Sequence, residues 1–118
     1  MRREYPTGSV RDSAEGKGAY YLIPYEPLRR LAVRYENGAK PGAYGPRNWE
    51  KGQPLCASYL DSCERHLQQL KAGLTDDDHA AAAAWNLFGF MQTLAWIQDG
   101  TLPAELDDRP AWAKGEAE

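Results

Sequence analysis

Apolar residues recur at helical spacing in three stretches of the chain, and polar segments rich in glycine and proline separate them. Pro24 suits a first helical turn, and Leu28, Leu31, Ala32 and Tyr35 follow at steps of three and four. They predict a first helix that Gly38 and Pro41 end. A second helix is predicted from about Ala57 to Ala72. Cys56, Leu60, Cys63, Leu67 and Leu70 trace its apolar stripe, and Gly73 suits its C-terminal cap. A third begins after Thr75, where Thr75 with Asp78 resembles a capping box. The alanines from Ala80 to Ala84 favour helix and leave room for a close neighbour. From Trp85 to Ile97 the pattern is apolar almost all round, which predicts burial, and Gly100 and Pro103 stop the helix.

The intervening segments divide the chain. Residues 1–20 are polar, with Gly8, Gly16 and Gly18, and predict an extended or loosely ordered arm. Residues 37–56 form a long loop with four glycines and three prolines, and long loops in compact domains are often functional. Residues 99–118 read as an acidic, polar tail with a short docking segment around Trp112 and a frayed end. One all-α domain over residues 21–98 is expected, with no internal repeat. At 118 residues the chain supports one modest core, which a second copy often completes in helical proteins of this size.

Charge and composition narrow the classes. The net charge of −3 and pI near 5.4 argue against binding a nucleic-acid polymer, which needs a basic face. No apolar run is long enough to span a membrane, and the charged N-terminus has no apolar stretch behind it, so no signal peptide is expected. Cys56 and Cys63 on one helix would sit roughly 10 Å apart along the axis, too far for a disulfide. They read as reduced thiols of a cytoplasmic protein.

Several polar residues do not fit a plain core. Asn86 stands in the most apolar stretch, with His79 and Thr93 seven residues away on the same helix side and Ala82 between. The stripe reads either as a polar groove or as an amide bonded to a neighbouring helix. Asp61 and Glu64 are neighbours at i, i+3 and suit a hard divalent ion; a solvated surface with Arg65 and Lys71 as ion partners is the plainer account. Arg65 and His66 form a basic pair suited to phosphate, or surface charge balance. Asp76, Asp77 and Asp78 look like a metal cluster, but the helix dipole explains three acids in a first turn better. Lys40, Arg47 and Lys51 lie in the long loop with Tyr44 and Trp49, a mix that suits a nucleotide; Trp49 as a core anchor is the alternative. Walker A, GxGxxG, GxSxG and HExxH patterns are absent.

A family resemblance is carried by Leu22-Ile23-Pro24, Glu26, Leu28, Gly38-Ala39-Lys40, Tyr44-Gly45, Arg47-Asn48-Trp49-Glu50-Lys51-Gly52, Tyr59-Leu60-Asp61, Arg65-His66-Leu67, His79 and Ala84-Trp85-Asn86-Leu87, in this order. The chain resembles the MazG-like dATP/dGTP diphosphohydrolases of phages and bacteria, in the all-α NTP pyrophosphohydrolase superfamily, over roughly residues 12–98. The related phage enzyme MazZ, which acts on dGTP, is also similar. The resemblance implies a MazG-like helical bundle completed by dimerisation, as homodimer or homotetramer. It also implies hydrolysis of a purine deoxynucleoside triphosphate to the monophosphate and pyrophosphate with Mg²⁺ or Mn²⁺, in the cytoplasm, or the host cytoplasm if phage-encoded. Asp61 and Glu64 match the first of the superfamily's two acidic pairs. Asn86 stands where the last acid of the second pair belongs, and Ala83 where its first belongs; Glu50, His79 or Glu26 can supply the missing ligands.

The resulting expectation places Glu50, Asp61 and Glu64 on the metal, with Asp61 and Glu64 catalytic and Glu64 taking the proton of the attacking water. Lys51, Arg65 and His66 would neutralise phosphates, Asn48 would bind substrate, and His79 and Asn86 would line the sugar or metal side. Trp49 and the aromatic arm would cover the base. Asp61→Asn is expected to abolish turnover and leave the fold intact. Two other classes stay open: a non-catalytic helical interaction module, and a nucleotide sensor that binds without cleaving.

Overall fold

The computed structural model describes residues 2–115. Its framework is three α-helices: α1 (Tyr25–Ala39), α2 (Asp61–Lys71) and α3 (His79–Gln98). Both α1 and α2 pack on α3, which is therefore the central element. The architecture is the all-α one expected. The expected arm carries a small antiparallel hairpin, β1 (Arg2–Glu4) and β2 (Val10–Asp12), with Arg3 opposite Arg11 and every strand residue exposed. The final positions of the expected tail, 116–118, lie outside the described residues, as does residue 1.

Helix α1 starts directly after Pro24, whose extended backbone turns the chain into it. Of its predicted stripe Leu31 is buried and Tyr35 half-buried, while Leu28 is exposed. Helix α2 differs more. A π-helical stretch, Leu55–Leu60, precedes it without a break. That wider turn shifts the register: Leu55 and Tyr59 are buried where Cys56 and Leu60 were expected, Cys63 is buried as expected, and Leu67 and Leu70 stay exposed. Gly73 does end the helix: its N–H donates to Leu70 O at 3.1 Å and Leu74 N–H to Gln69 O at 3.1 Å, the paired bonds of a Schellman turn.

Helix α3 begins later than predicted. Asp78, not Thr75, is its N-cap and accepts from the Ala81 N–H at 3.2 Å. Asp76 and Asp77 precede the helix, and each acid has a separate partner. Asp78 takes two bonds from Arg30 (2.8 and 2.5 Å), Asp77 one from Arg34 (2.7 Å), and Asp76 faces His79. Arg30 and Arg34 are four apart on α1, so one helix side clamps the start of α3. The predicted burial of Trp85–Ile97 holds on one side only: Leu87, Phe88 and Met91 are 44–64% exposed, because no element among the described residues packs over that side.

The tail is docked and not frayed over the described residues. Short 3-10 turns form at Ala104–Leu106 and Ala111–Lys114. Asp108 accepts from the Cys56 and Ala57 N–H groups at 2.6 and 3.0 Å, capping the π stretch from across the chain. Leu106 and Leu102 press on Gly52, where a Cβ would lie 2.5 Å from Leu106. Trp112, the expected docking residue, is 76% exposed.

Candidate functional site

An aromatic cluster fixes the long loop to the helices. Trp49 lies in a 3-10 turn, Asn48–Lys51, and stacks on Trp96 with ring centroids 5.8 Å apart. Tyr35 meets Trp49 edge-on at 6.1 Å and Trp85 at 5.9 Å. Tyr59 is fully buried beneath them. Its hydroxyl donates to Trp49 O at 3.4 Å and accepts from Thr93 at 3.3 Å, so the buried phenol is satisfied. Burial raises its pKa and keeps it neutral. Gly89 makes this possible: a Cβ there would run into the Tyr59 ring, with Cδ1 only 2.9 Å away. Arg47, entering the 3-10 turn, has φ +66° and is the one non-glycine residue at positive φ among the described residues.

Between this loop, α1, α2 and α3 lies a cavity of about 890 Å³, at the upper end of the size of small-molecule sites. Arg34, Tyr44, Asn48, Glu50, His66 and Asn86 are among its lining residues. Asn86 is 7% exposed and its amide donates to Ala82 O at 2.9 Å, so the helix itself satisfies the nitrogen. Glu50 is the one carboxylate on the wall and accepts from Arg47 at 2.7 Å.

The cavity gathers Asn48, Trp49, Glu50, His66 and Asn86. His79 stands behind His66, 3% exposed, with Nδ1 atoms 2.9 Å apart. Burial, then the positive charge of Arg34, pushes the His66 pKa down and favours its neutral form. Asp61, Glu64 and Arg65 lie elsewhere, on a separate shallow depression of the outer side of α2, where Asp61 pairs with Arg65. Ser62 and His66, on the other side of the same helix, face the cavity. Lys51 is exposed and off the wall. Tyr20 and Tyr21 are exposed and line none of the cavity. Trp49 is covered on one face by Trp96, which favours its role as an anchor over that of a base platform.

The donor set does not fit the expected divalent site within one chain. Mg²⁺ takes oxygen ligands converging on one point, yet Glu50 and the Asp61–Glu64 pair line different depressions. The one group of three potential ligands within 4.8 Å of one another, among the described residues, is His66, Asp77 and His79. Arg34 was not singled out in the sequence. The available signal was its place beside Leu31 and Tyr35, a cation bordering an apolar stripe.

The family model for the N-terminal region of dATP/dGTP diphosphohydrolases matches residues 7–101. No curated protein and no solved structure matches the chain. No helix of the described residues is long and apolar enough to cross a membrane.

Proposed function

The chain belongs to the dATP/dGTP diphosphohydrolase family, and on that premise we propose that it cleaves dGTP or dATP between the α and β phosphates, releasing the monophosphate and pyrophosphate. The observation that carries this reading is the cavity: its walls, from Arg34 to Asn86, lie wholly inside the matched span. The substrate is taken as the Mg²⁺ or Mn²⁺ complex of the nucleotide, in which the ion offsets phosphate charge and acidifies bound water.

The protein's own groups divide the remaining work. Arg34 keeps guanidinium donors beyond the one bound to Asp77 and holds phosphate oxygens at the cavity wall. Tyr44 is exposed at the cavity and offers a ring face to the base. Asn48 and Asn86 present amides to the sugar and base. Glu50 is placed to take the proton of the attacking water. Asp61 and Glu64 stand outside this cavity. The exposed apolar side of α3 supports pairing of two chains.

The test is a product assay. Purified protein is incubated with dGTP, dATP, dCTP, dTTP and GTP, with Mg²⁺, Mn²⁺ or EDTA, and the products are separated by ion exchange. Monophosphate plus pyrophosphate from a purine deoxynucleotide, lost with EDTA, is the expected result. Absence of turnover with every nucleotide and metal rejects the reading. Glu50→Gln is expected to lower kcat by 100-fold or more, on the scale of general-base loss, with Asp61→Asn close to the parent. The opposite pattern rejects Glu50 and restores the outer face.

A further inference from the structure

Where the cavity side of α2 meets the start of α3, three ligand-capable side chains converge. His66 Nδ1 lies 2.9 Å from His79 Nδ1, and one oxygen of Asp77 lies within 4.8 Å of one nitrogen of each ring. They come from two different parts of the chain, α2 and the turn that opens α3, so sequence adjacency does not account for the grouping.

The surroundings set the chemistry of these atoms. His79 Nε2 lies 2.8 Å from Asp76 Oδ1. A carboxylate there accepts a proton-bearing nitrogen, which leaves the lone pair on Nδ1, toward His66. A carboxylate holding the far nitrogen of an imidazole is the usual support of a metal-binding histidine. Asp77 is also held: its Oδ1 accepts from Arg34 at 2.7 Å and from the Asp78 N–H at 2.8 Å, leaving Oδ2 available. Without an ion, the His66 Nδ1–H must donate to His79, because two lone pairs cannot face each other at this distance. When an ion binds, His66 gives up its Nδ1 proton to solvent and takes one on Nε2, becoming the other neutral tautomer, so that the Nδ1 lone pairs of both rings face the ion. Two nitrogens bound at the usual zinc distance in a tetrahedral shell lie about 3.3 Å apart. A few tenths of an ångström of movement at His66, the less buried ring, converts one arrangement into the other.

We propose that His66, Asp77 and His79 form a binding site for one transition-metal dication, of the Zn²⁺ or Co²⁺ class, with Asp76 as a positioning residue. Two imidazoles and one carboxylate suit borderline transition metals, whereas Mg²⁺ and Ca²⁺ prefer all-oxygen shells. Three protein ligands leave a tetrahedral ion one open position, and His66 borders the cavity. The proposal rests on these residues and not on the hydrolytic reading. Its competitor is an ion-free hydrogen-bond chain from Asp76 through His79 to His66.

The test uses the full chain, stripped with a chelator and titrated with Co²⁺ without nucleotide. Visible d–d absorption saturating at one equivalent per chain, and displaced by Zn²⁺ in calorimetry, is expected. His66→Gln and Asp77→Asn, checked for helicity by circular dichroism, should each weaken binding at least tenfold, and Asp76→Asn about tenfold. X-ray absorption of the Zn²⁺-loaded parent should show two imidazole ligands, a readout that depends on no variant folding. Failure to bind Co²⁺ at millimolar concentration, unchanged affinity in folded His66→Gln and Asp77→Asn, or an all-oxygen shell overturns the proposal. Turnover of dGTP with Mg²⁺, assayed separately, tells failure of this site from failure of the hydrolytic reading.

Discussion

The two sides of α3 carry opposite kinds of residue. Toward the rest of the chain it presents Ala81, Ala82, Ala83, Asn86, Gly89 and Thr93, all buried; away from it stand Leu87, Phe88 and Met91, all exposed. This inverts the usual arrangement, in which large apolar side chains are the ones removed from water. The small inner residues let the Tyr59 ring rest against Gly89 and leave space at Asn86 for the cavity. The large outer residues are 44–64% exposed among the described residues, and self-association through this apolar face is the expectation to test.

The inner side is the easiest to break. Gly89→Leu forces a branched side chain into the buried Tyr59 ring. Overpacking typically costs ~1–3 kcal/mol, while removing a mid-helix glycine returns at most about 1 kcal/mol. The clash falls on a ring held by Trp49, Trp85 and Thr93, so the upper end is expected, with a clear drop in Tm by circular dichroism. An unchanged Tm would mean that Tyr59 does not lie on α3 in this way.

The outer side sharpens the comparison. Phe88→Glu is expected to leave helicity intact and to weaken self-association. Burial of a phenylalanine contributes about 1.5–3 kcal/mol, one to two orders of magnitude in Kd. Light scattering across a dilution series reads the mass; a parent already monomeric at high concentration, or a variant as associated as the parent, removes this face from the pairing surface.

The smallest effect belongs to the start of α3, where both sides begin. The bidentate bond from Arg30 holds the Asp78 carboxyl down to about 2. A carboxylate lowered by folding stabilises the fold above its ordinary value, near 3.8, and loses that contribution as pH falls toward 2. Asp78→Asn keeps a capping side chain but loses the ion pair. It should be less stable than the parent at neutral pH by under about 1 kcal/mol, since the pair is partly exposed. The gap should close in acid. Urea melts at both pH values decide it, and a gap that widens in acid contradicts the assignment.

Helices declared themselves where periodicity and stop signals are local. Pro24 before α1, Gly73 after α2 and Gly100 after α3 all mark ends that depend on a few neighbouring residues. The start of α3 was less legible, because Thr75 and Asp78 are both good caps and the choice falls to Asp78, which Arg30 holds from 48 residues away. The stripe of α2 was legible at Cys63 and misplaced at its other positions, because a π turn has no periodic signature of its own and shifts the register of the helix. For the site, Asn86 stood out as an amide in an apolar stretch, His66 as half of a basic pair with Arg65, and Asn48 and Glu50 through the family resemblance, and all four line the cavity. Arg34 did not stand out, since a lone arginine on an amphipathic helix is ordinary.

The order of residues by itself determined three helices, a structured aromatic loop between the first two, and the family. Each of these rests on spacing, turn chemistry or motif order, which are local. Only the tertiary structure decided which carboxylates share a space. Asp61 and Glu64 are close to Ser62 and His66 in sequence, yet they look out from the other side of α2. His66 and Asp77 are far apart along the chain and meet because α2 and α3 pack side by side. A helix separates neighbours and a turn reunites distant residues, and both follow from where the buried faces of α1 and α2 settle on α3.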